Sequence, residues 1–189
     1  MKIRESGMPE EDIWGGFFNP SKILEILGVS KNIYDVAEFG CGFGTFTIPA
    51  AKRISGKVFA IDIESEMIEI TKKKDTEEKL NNVVTVQRDF ISNGTGFDSE
   101  SVDYVMLFNI LHGNESEKIL EESWRILKPN GKVGIIHWNY DPKTPRGPPL
   151  EIRLKPEQCI KFAKSSGFNF LNKYDLKPYH FGITFEKIV

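Results

Sequence analysis

Apolar runs of five to eight residues alternate with helical patterns through most of the sequence. Such short apolar runs are typical of strands buried on both faces, and the patterns between them are typical of helices that cover those faces. Strands are predicted at 33–39, 57–61, 83–87, 102–108 and 132–138, and helices at 20–27, 45–54, 64–79 and 116–127. This order predicts a doubly wound α/β domain, with a parallel sheet between two layers of helices.

The C-terminal part of the sequence departs from this alternation. Residues 168–175 and 181–188 are both predicted as strands, but only the short segment 176–180 separates them. Two parallel neighbours would need a crossover of about a dozen residues or more, so the pair is predicted to form an antiparallel hairpin. We therefore expect a seven-stranded, mostly parallel sheet with an antiparallel last strand, in a three-layer α/β/α fold.

Residues 1–189 are interpreted as a single domain, because this length lies within the usual range for one domain. We expect residues 1–30 to form an N-terminal helical cap. The proline-rich loop 139–155 is predicted to lie over the carboxyl end of the sheet, where long loops often act as lids.

The charge balance argues against a nucleic-acid partner. The sequence has 25 Lys and Arg residues against 27 Asp and Glu residues, a net charge of −2, and no segment concentrates basic residues. Its densest charged run, 72–79 (KKKDTEEK), is interpreted as a solvated helix face on which opposite charges compensate one another. No apolar run approaches the roughly 20 residues of a membrane-spanning helix, so we expect no membrane partner.

The two cysteines, Cys41 and Cys159, are too few for a disulfide framework. They also lack the paired spacing of a zinc site, and the three histidines are scattered along the sequence. We therefore predict no metal and a reducing, cytoplasmic location. A monomer or a homodimer is expected.

A glycine-rich loop follows the first strand. The segment 38–44, EFGCGFG, leads directly into the helix predicted from residue 45. Glycine removes side chains where a backbone turns sharply and lies against a ligand, at the sheet edge where open α/β folds bind their ligands. Asp62 ends the second strand 22 residues after Gly40, near the offset of about 20 residues at which a carboxylate accepts ribose hydroxyls. We therefore expect a nucleoside-containing ligand.

Two classes of nucleoside ligand compete for this loop. A pyrophosphate-binding loop follows the pattern G-x-G-x-x-G, which would place glycine or alanine where the sequence has Thr45. This difference disfavours an NAD(P)-dependent oxidoreductase and leaves it as an alternative. A non-catalytic module that keeps the fold and binds the same ligand is a further alternative.

The same residues resemble the class I S-adenosylmethionine-dependent methyltransferases, whose first motif is an acidic residue followed by G-x-G-x-G. The likeness covers nearly the whole chain: aspartates end the second strand (Asp62) and the third (Asp89), and 125–132, RILKPNGK, is similar to the family's LKPGG turn. Asn130 replaces a glycine there, a mild departure because asparagine tolerates left-handed geometry. Small type 11, or UbiE-like, members are the most similar, with the start W…FFxP and the loop TPRGPP. The resemblance implies methyl transfer from S-adenosylmethionine to an unidentified small-molecule acceptor.

The resemblance also assigns roles to residues around the loop. It places Glu38 near the methionine ammonium through water, Asp62 at the ribose and Asp89 at the adenine amino group. Phe90 and Ile63 are expected to pack on the adenine ring. The other cofactor-binding residues belong to the loop and to the turn after the fourth predicted strand: Gly40, Cys41, Gly42, Phe43, Gly44, Asn109, Ile110 and Leu111.

Methyl transfer needs few catalytic side chains, and His112 is the candidate general base. It follows the fourth strand at the carboxyl edge, and an unperturbed imidazole pKa of about 6.5 suits proton removal near neutral pH. The alternative is a capping or cofactor-wall histidine. Cys41, at a helix N-terminus, is interpreted as a small spacer rather than a nucleophile.

Candidate substrate contacts are three aromatic residues and one arginine: Trp14, Phe18, Trp138 and Arg146. Trp14 and Phe18 belong to an aromatic cluster that would either close over the cofactor or cover the sheet. Only one of His137 and Trp138 can face the pocket, because side chains alternate along a strand. Arg146, in the proline-rich loop, would either hold an anionic substrate through its planar guanidinium or be solvated.

Overall fold

The computed structural model describes residues 16, 19–112, 115–144 and 147–188. Its strands are β1 (Val36–Phe39), β2 (Val58–Asp62), β3 (Val83–Gln87), β4 (Val102–Phe108), β5 (Leu127–Trp138), β6 (Phe168–Leu176) and β7 (His180–Lys187). Within the described ranges these seven form one sheet in the order β3-β2-β1-β4-β5-β7-β6. The strands β1 to β5 pair in parallel, and β7 is antiparallel to both neighbours. The predicted fold class and the predicted antiparallel hairpin are confirmed.

Helices connect the strands and cover both faces of the sheet. They are α1 (Pro20–Ile26), α2 (Thr47–Ala51), α3 (Ser65–Glu77), α4 (Phe90–Asn93), α5 (Ser116–Ile126) and α6 (Pro156–Ser165), with a 3-10 turn at Leu150–Ile152. Apolar residues of α1 and α2 pack on one face of the sheet, in a cluster with Ile136 of β5. Those of α5 and α6 pack on the other face, in a cluster with Ile135. Because these two isoleucines are neighbours on one strand, the sheet is buried on both faces.

The largest differences from the prediction are the bounds of β5 and α2 and two helices, α4 and α6, that were not predicted. The strand β5 begins at Leu127 rather than at 132, and within it Asn130 adopts the left-handed conformation (φ 62°) that asparagine tolerates. The helix α2 covers 47–51 rather than 45–54, because the turn of the glycine loop continues to Phe46. The helix α6 is missing from the prediction, since only Cys159 and Ala163 of its residues are buried and give a weak apolar pattern.

Gly134 of β5 lies against Tyr104 of β4, whose hydroxyl donates a hydrogen bond to the Leu27 carbonyl (2.8 Å). A Cβ on Gly134 would collide with that hydroxyl, and the tyrosine is fully buried. We expect Gly134→Ala to lower the free energy of unfolding by about 1–3 kcal/mol, the usual cost of overpacking a core. Urea denaturation measures this loss. The loss should shrink in a Tyr104→Phe background, and equal losses in the two backgrounds would contradict the clash.

The described part of the chain has neither a metal-binding cluster nor a helix that could span a membrane. No group of three histidine, cysteine, aspartate or glutamate residues there is able to hold a metal ion. No helix there has the length and apolar character needed to cross a membrane. Cys41 and Cys159 are both buried as free thiols.

Candidate functional site

The glycine loop 40–44 lies at the carboxyl end of β1 and adopts backbone angles that favour glycine. Gly40, Gly42 and Gly44 have φ values of 73°, 52° and 72°, in the left-handed region where other residues are strained. A Cβ on Gly40 would also come within 2.9 Å of Ile110 Cδ1. The glycine pattern found in the sequence is therefore a requirement of the backbone at this bend.

Asp62, at the end of β2, is in direct contact with the glycine loop. Its Oδ2 accepts the Gly42 N–H (2.9 Å), and its Oδ1 accepts the Glu64 N–H (3.0 Å). Burial raises the pKa of Asp62, against the lowering effect of these backbone hydrogen bonds. Each oxygen keeps a lone pair for a further donor. Two features predicted from separate parts of the sequence thus meet at one point.

Glu38, the acidic residue before the loop, is buried at the end of β1. The Thr47 hydroxyl of α2 donates a hydrogen bond to Glu38 Oε2. Burial raises the pKa of Glu38 to about 8, helped by the nearby Asp62 charge and opposed by the Thr47 hydrogen bond. Glu38 is therefore mostly neutral at pH 7 when no cation is beside it. Sequence reasoning missed Thr47, although a hydroxyl at the start of the next helix was a usable signal.

Cys41 lies behind the loop rather than in the cleft. Its Sγ is 3.8 Å from both the Gly42 carbonyl and the Thr71 hydroxyl. Burial, followed by the charges of Glu38 and Asp62, raises the thiol pKa well above its usual range. A buried, protonated thiol is a poor nucleophile, which supports its interpretation as a small spacer.

Asp89 follows β3 and caps the short helix α4. Its Oδ1 accepts the N–H groups of Ile91 (3.1 Å) and Ser92 (3.0 Å), and hydrogen bonds of this kind lower its pKa. Phe90 is buried, with its ring centroid 4.9 Å from that of Phe39. Ile63, by contrast, is 38% exposed at the end of β2. Of the two predicted adenine contacts, only Ile63 presents its side chain at the surface.

The turn after β4 lies beside the glycine loop. Asn109 adopts φ 56°, and both polar atoms of its side-chain amide are buried without a hydrogen-bond partner in the described ranges. A buried amide without partners costs free energy, so this side chain is ready for a ligand. Ile110 contacts Gly40, as described above, and Leu111 is buried in the core.

His112 comes next and is buried beside His137. The two imidazole centroids are 5.4 Å apart in a T-shaped arrangement. Burial lowers the pKa of His112, so the ring is neutral near pH 7, and the carbonyls of Asn109 and Ile152 partly oppose this shift. Its Nδ1 is buried and has no hydrogen-bond partner among the described residues. The backbone of His112 pairs with that of Arg153 in an isolated antiparallel bridge.

His137 and Trp138 end β5 and are both enclosed by protein. A ring nitrogen of His137 donates to the Leu111 carbonyl (2.7 Å), and burial lowers its pKa to about 4. Trp138 packs against His180, with ring centroids 4.2 Å apart. A Cβ on Gly147 would come within 2.9 Å of the indole. Gly147 therefore lies against Trp138, while Trp14, Phe18 and Arg146 lie outside the described residues.

Arg153 is the residue that organises the proline-rich loop, and sequence reasoning missed it. Its guanidinium donates to the carbonyls of Pro148 (2.7 Å), Asn139 (3.1 Å) and Asp141 (3.3 Å) and to the Thr144 hydroxyl (2.6 Å). It also lies 5.5 Å from the centre of a Trp138 ring, a cation–π distance. An arginine between Ile152 and Leu154, two apolar residues, was the available signal.

The prediction that run 72–79 is only a solvated face is wrong at Lys74. This lysine donates to the Phe43 carbonyl of the glycine loop (2.8 Å). One turn of α3 earlier, the Thr71 hydroxyl donates to the Gly42 carbonyl (3.1 Å). Two hydrogen bonds therefore link the helix to the loop. The charge pattern of the sequence could not predict them, because both acceptors are backbone atoms.

A family model described as a methyltransferase domain matches residues 36–131. The matched segment runs from the start of β1 into β5. It therefore contains the glycine loop, Asp62, Asp89 and the turn after β4, which are the parts of the site that the resemblance assigned to the cofactor.

Two similar curated proteins are named demethylmenaquinone methyltransferase. The protein of Lactobacillus johnsonii is 30% identical over 136 residues, which are 68% of this chain and 53% of the relative. The protein of Staphylococcus aureus is 26% identical over 172 residues, which are 82% of this chain and 69% of the relative. The chain thus spans about half the length of the first relative.

The fold is also similar to the crystal structure of a SAM-dependent methyltransferase from Aquifex aeolicus. The TM-score is 0.83 at 25% sequence identity, and the match covers 95% of this chain and 94% of that one. Family model, relatives and fold agree with the glycine loop and the order of strands. The chain belongs to the class I S-adenosylmethionine-dependent methyltransferase family.

Proposed function

We propose that this protein transfers a methyl group from S-adenosylmethionine to a small-molecule acceptor. The main support is the hydrogen bond from the Gly42 N–H to Asp62. It joins the glycine loop to the aspartate that is predicted to bind ribose, at the carboxyl edge of the sheet. The names of two relatives identify a small molecule, demethylmenaquinone, as their acceptor. This supports an acceptor of similar class here.

The residues of the site fit a cationic nucleoside. Glu38 supplies a buried carboxyl for an ammonium group, and Asp62 has lone pairs for ribose hydroxyls. Asn109 offers a buried donor and acceptor, and the absence of a side chain at Gly40 lets Ile110 pack directly against the loop backbone. When bound, the sulfonium of this cofactor supplies an electrophilic methyl group.

In such a transfer the protein aligns the acceptor with the methyl group and excludes water from the site. The loop held by Arg153 covers Trp138 and shields the carboxyl end of β5. His112 keeps a neutral imidazole whose buried Nδ1 has no hydrogen-bond partner among the described residues. We propose that this nitrogen removes the proton from an N–H or O–H acceptor.

Cofactor binding and turnover test the proposal separately. Calorimetry with S-adenosylmethionine and with S-adenosylhomocysteine should give dissociation constants in the micromolar range. Mixing with reduced nicotinamide cofactor should leave its fluorescence unchanged, whereas a change would favour the oxidoreductase. Release of S-adenosylhomocysteine with a panel of phenols, hydroquinones, amines and thiols would demonstrate transfer. Binding without release across the panel would favour the non-catalytic module.

A cytoplasmic location and a monomeric or homodimeric state are further proposals. The free thiols of Cys41 and Cys159 suit a reducing compartment. Size-exclusion chromatography with light scattering determines the oligomeric state directly.

Cofactor affinity is expected to depend on pH through Glu38. The raised pKa of about 8 means that an ammonium group binds best after Glu38 loses its proton, while the amine keeps its own proton below about pH 8. Because part of the amine is also deprotonated at pH 8, affinity should fall by about threefold from pH 8 to 7 and by about eightfold from pH 7 to 6. Calorimetry at these three values measures the trend.

The control for this pH dependence is Glu38→Gln, which has no titratable proton. The variant should bind more weakly at pH 8, and its affinity should vary little between pH 6 and pH 8. The same slope in wild type and variant would show that another group is responsible.

A further inference from the structure

The helix α3 contacts the glycine loop through two backbone carbonyls of the loop, whereas Asp62 of β2 contacts the loop through the Gly42 N–H. Thr71 donates to the Gly42 carbonyl (3.1 Å), and Lys74 donates to the Phe43 carbonyl (2.8 Å). The two residues are three apart and so share one face of the helix. A Cβ on Gly44 would come within 3.1 Å of the Thr71 hydroxyl, which shows how closely helix and loop pack.

Four of the five N–H groups in the loop have acceptors. Those of Gly40 and Cys41 bind the Ile61 carbonyl, that of Gly42 binds Asp62, and that of Gly44 binds the Cys41 carbonyl. The Phe43 N–H has no acceptor in the part of the chain that the structure describes. A backbone donor of this kind is usually paired, so this N–H is available to a ligand.

The direction of the Phe43 N–H follows from the Gly42 carbonyl. Both belong to the same trans peptide, in which C=O and N–H point in opposite directions. Because Thr71 holds the carbonyl towards α3, the N–H points away from the helix. Lys74 restrains the following carbonyl, so the peptides on both sides of Phe43 are held from α3.

We propose that Thr71 and Lys74 are positioning residues that aim the Phe43 N–H at the carboxylate of the methionine part of S-adenosylmethionine. The inference depends on the proposed cofactor site. An N–H can bind only an acceptor, and the ammonium and sulfonium groups of the cofactor are cations. The carboxylate is the anionic acceptor in that half of the molecule, and backbone N–H groups in glycine-rich bends bind anions well. The Lys74 ammonium, which donates to the Phe43 carbonyl, also places a positive charge beside the loop.

Binding of two nucleosides distinguishes a positioning role of Thr71 and Lys74 from general support of the loop. S-adenosylhomocysteine carries the carboxylate, whereas 5′-methylthioadenosine has the same adenosine and thioether but lacks the amino-acid part. We expect Thr71→Val to weaken S-adenosylhomocysteine binding by about five- to tenfold, the value of one lost hydrogen bond. Binding of 5′-methylthioadenosine should change less than twofold. Thr71→Ser keeps the hydroxyl and should restore wild-type affinity.

The matched pair on α3 is Lys74→Met and Lys73→Met. Lys73 is exposed and forms an ion pair with Glu77 (3.8 Å) one turn further along α3. Lys74→Met should weaken S-adenosylhomocysteine selectively, and Lys73→Met should weaken neither nucleoside. This pair also tests the inference if Thr71→Val fails to fold.

Three results have distinct meanings. An equal loss for both nucleosides in Thr71→Val and Lys74→Met would overturn the inference, because these residues would then only support the loop. No loss for either nucleoside would overturn it as well. Failure of the wild-type protein to bind either nucleoside would instead overturn the proposed cofactor site.

Discussion

Asp62→Ala is expected to weaken S-adenosylmethionine binding by about 10²- to 10⁴-fold, which corresponds to two charge-assisted hydrogen bonds to ribose of about 1.5–3 kcal/mol each. The same substitution removes the acceptor of the Gly42 N–H and so loosens the loop. The lost ribose hydrogen bonds, which dominate the expected effect, belong to the nucleoside half of the ligand. Binding of 5′-methylthioadenosine should therefore fall as much as that of S-adenosylmethionine, and calorimetry measures both.

The control for Asp62 is Asp98→Asn, a change at an exposed aspartate before β4. It should leave both affinities unchanged. Thermal unfolding shows whether Asp62→Ala is folded. A folded Asp62→Ala protein with wild-type affinity would remove the main support for the nucleoside site.

His112→Asn is expected to lower turnover by about 10²- to 10⁴-fold with an N–H or O–H acceptor, the usual contribution of a general base. The affinity for S-adenosylmethionine should stay within about twofold, because the imidazole is proposed to act on the acceptor. The substitution keeps a polar side chain of moderate size beside His137. Initial rates of S-adenosylhomocysteine release measure the effect.

A thiol acceptor provides the control for His112. A thiolate forms near neutral pH without a base, so its methylation by His112→Asn should stay near the wild-type rate. The pH profile provides a second test. Burial lowers the pKa of His112, so wild-type activity with an O–H acceptor should persist below pH 6.5 before the ring gains a proton. Equal losses with thiol and hydroxyl acceptors would contradict the role of a base.

The fold was predictable from the sequence because hydrophobic period and connection length are local properties. Five apolar runs separated by helical patterns imply parallel strands, and the short segment 176–180 forces a hairpin. The structure confirms both. The boundaries of α2 and β5 were less predictable, because backbone pairing rather than hydrophobicity sets them: β5 begins at Leu127 and includes the left-handed Asn130, and α2 begins after Phe46.

The residues of the proposed cofactor side could largely be predicted from the sequence, whereas those of the acceptor side could not. Glycines at fixed spacing and an acid 22 residues on are local in sequence, and their contact follows from neighbouring parallel strands. Arg153 could not be identified this way. Three of its acceptors are backbone carbonyls spread over 139–148, beside one threonine hydroxyl, and a carbonyl carries no residue-specific signal in a sequence.

The sequence by itself determined the layers of the fold, the bend after β1 and the identity of the acid that meets it. These features depend on the residue types themselves. Glycine adopts φ near +70° without strain, and only an acidic residue offers charged acceptors to a sugar. The tertiary structure alone decided which side chains hold the loops: Thr47 on Glu38, Thr71 and Lys74 on the glycine loop, and Arg153 on the proline-rich loop. Such contacts follow no sequence spacing, and only packing brings their atoms within hydrogen-bond distance.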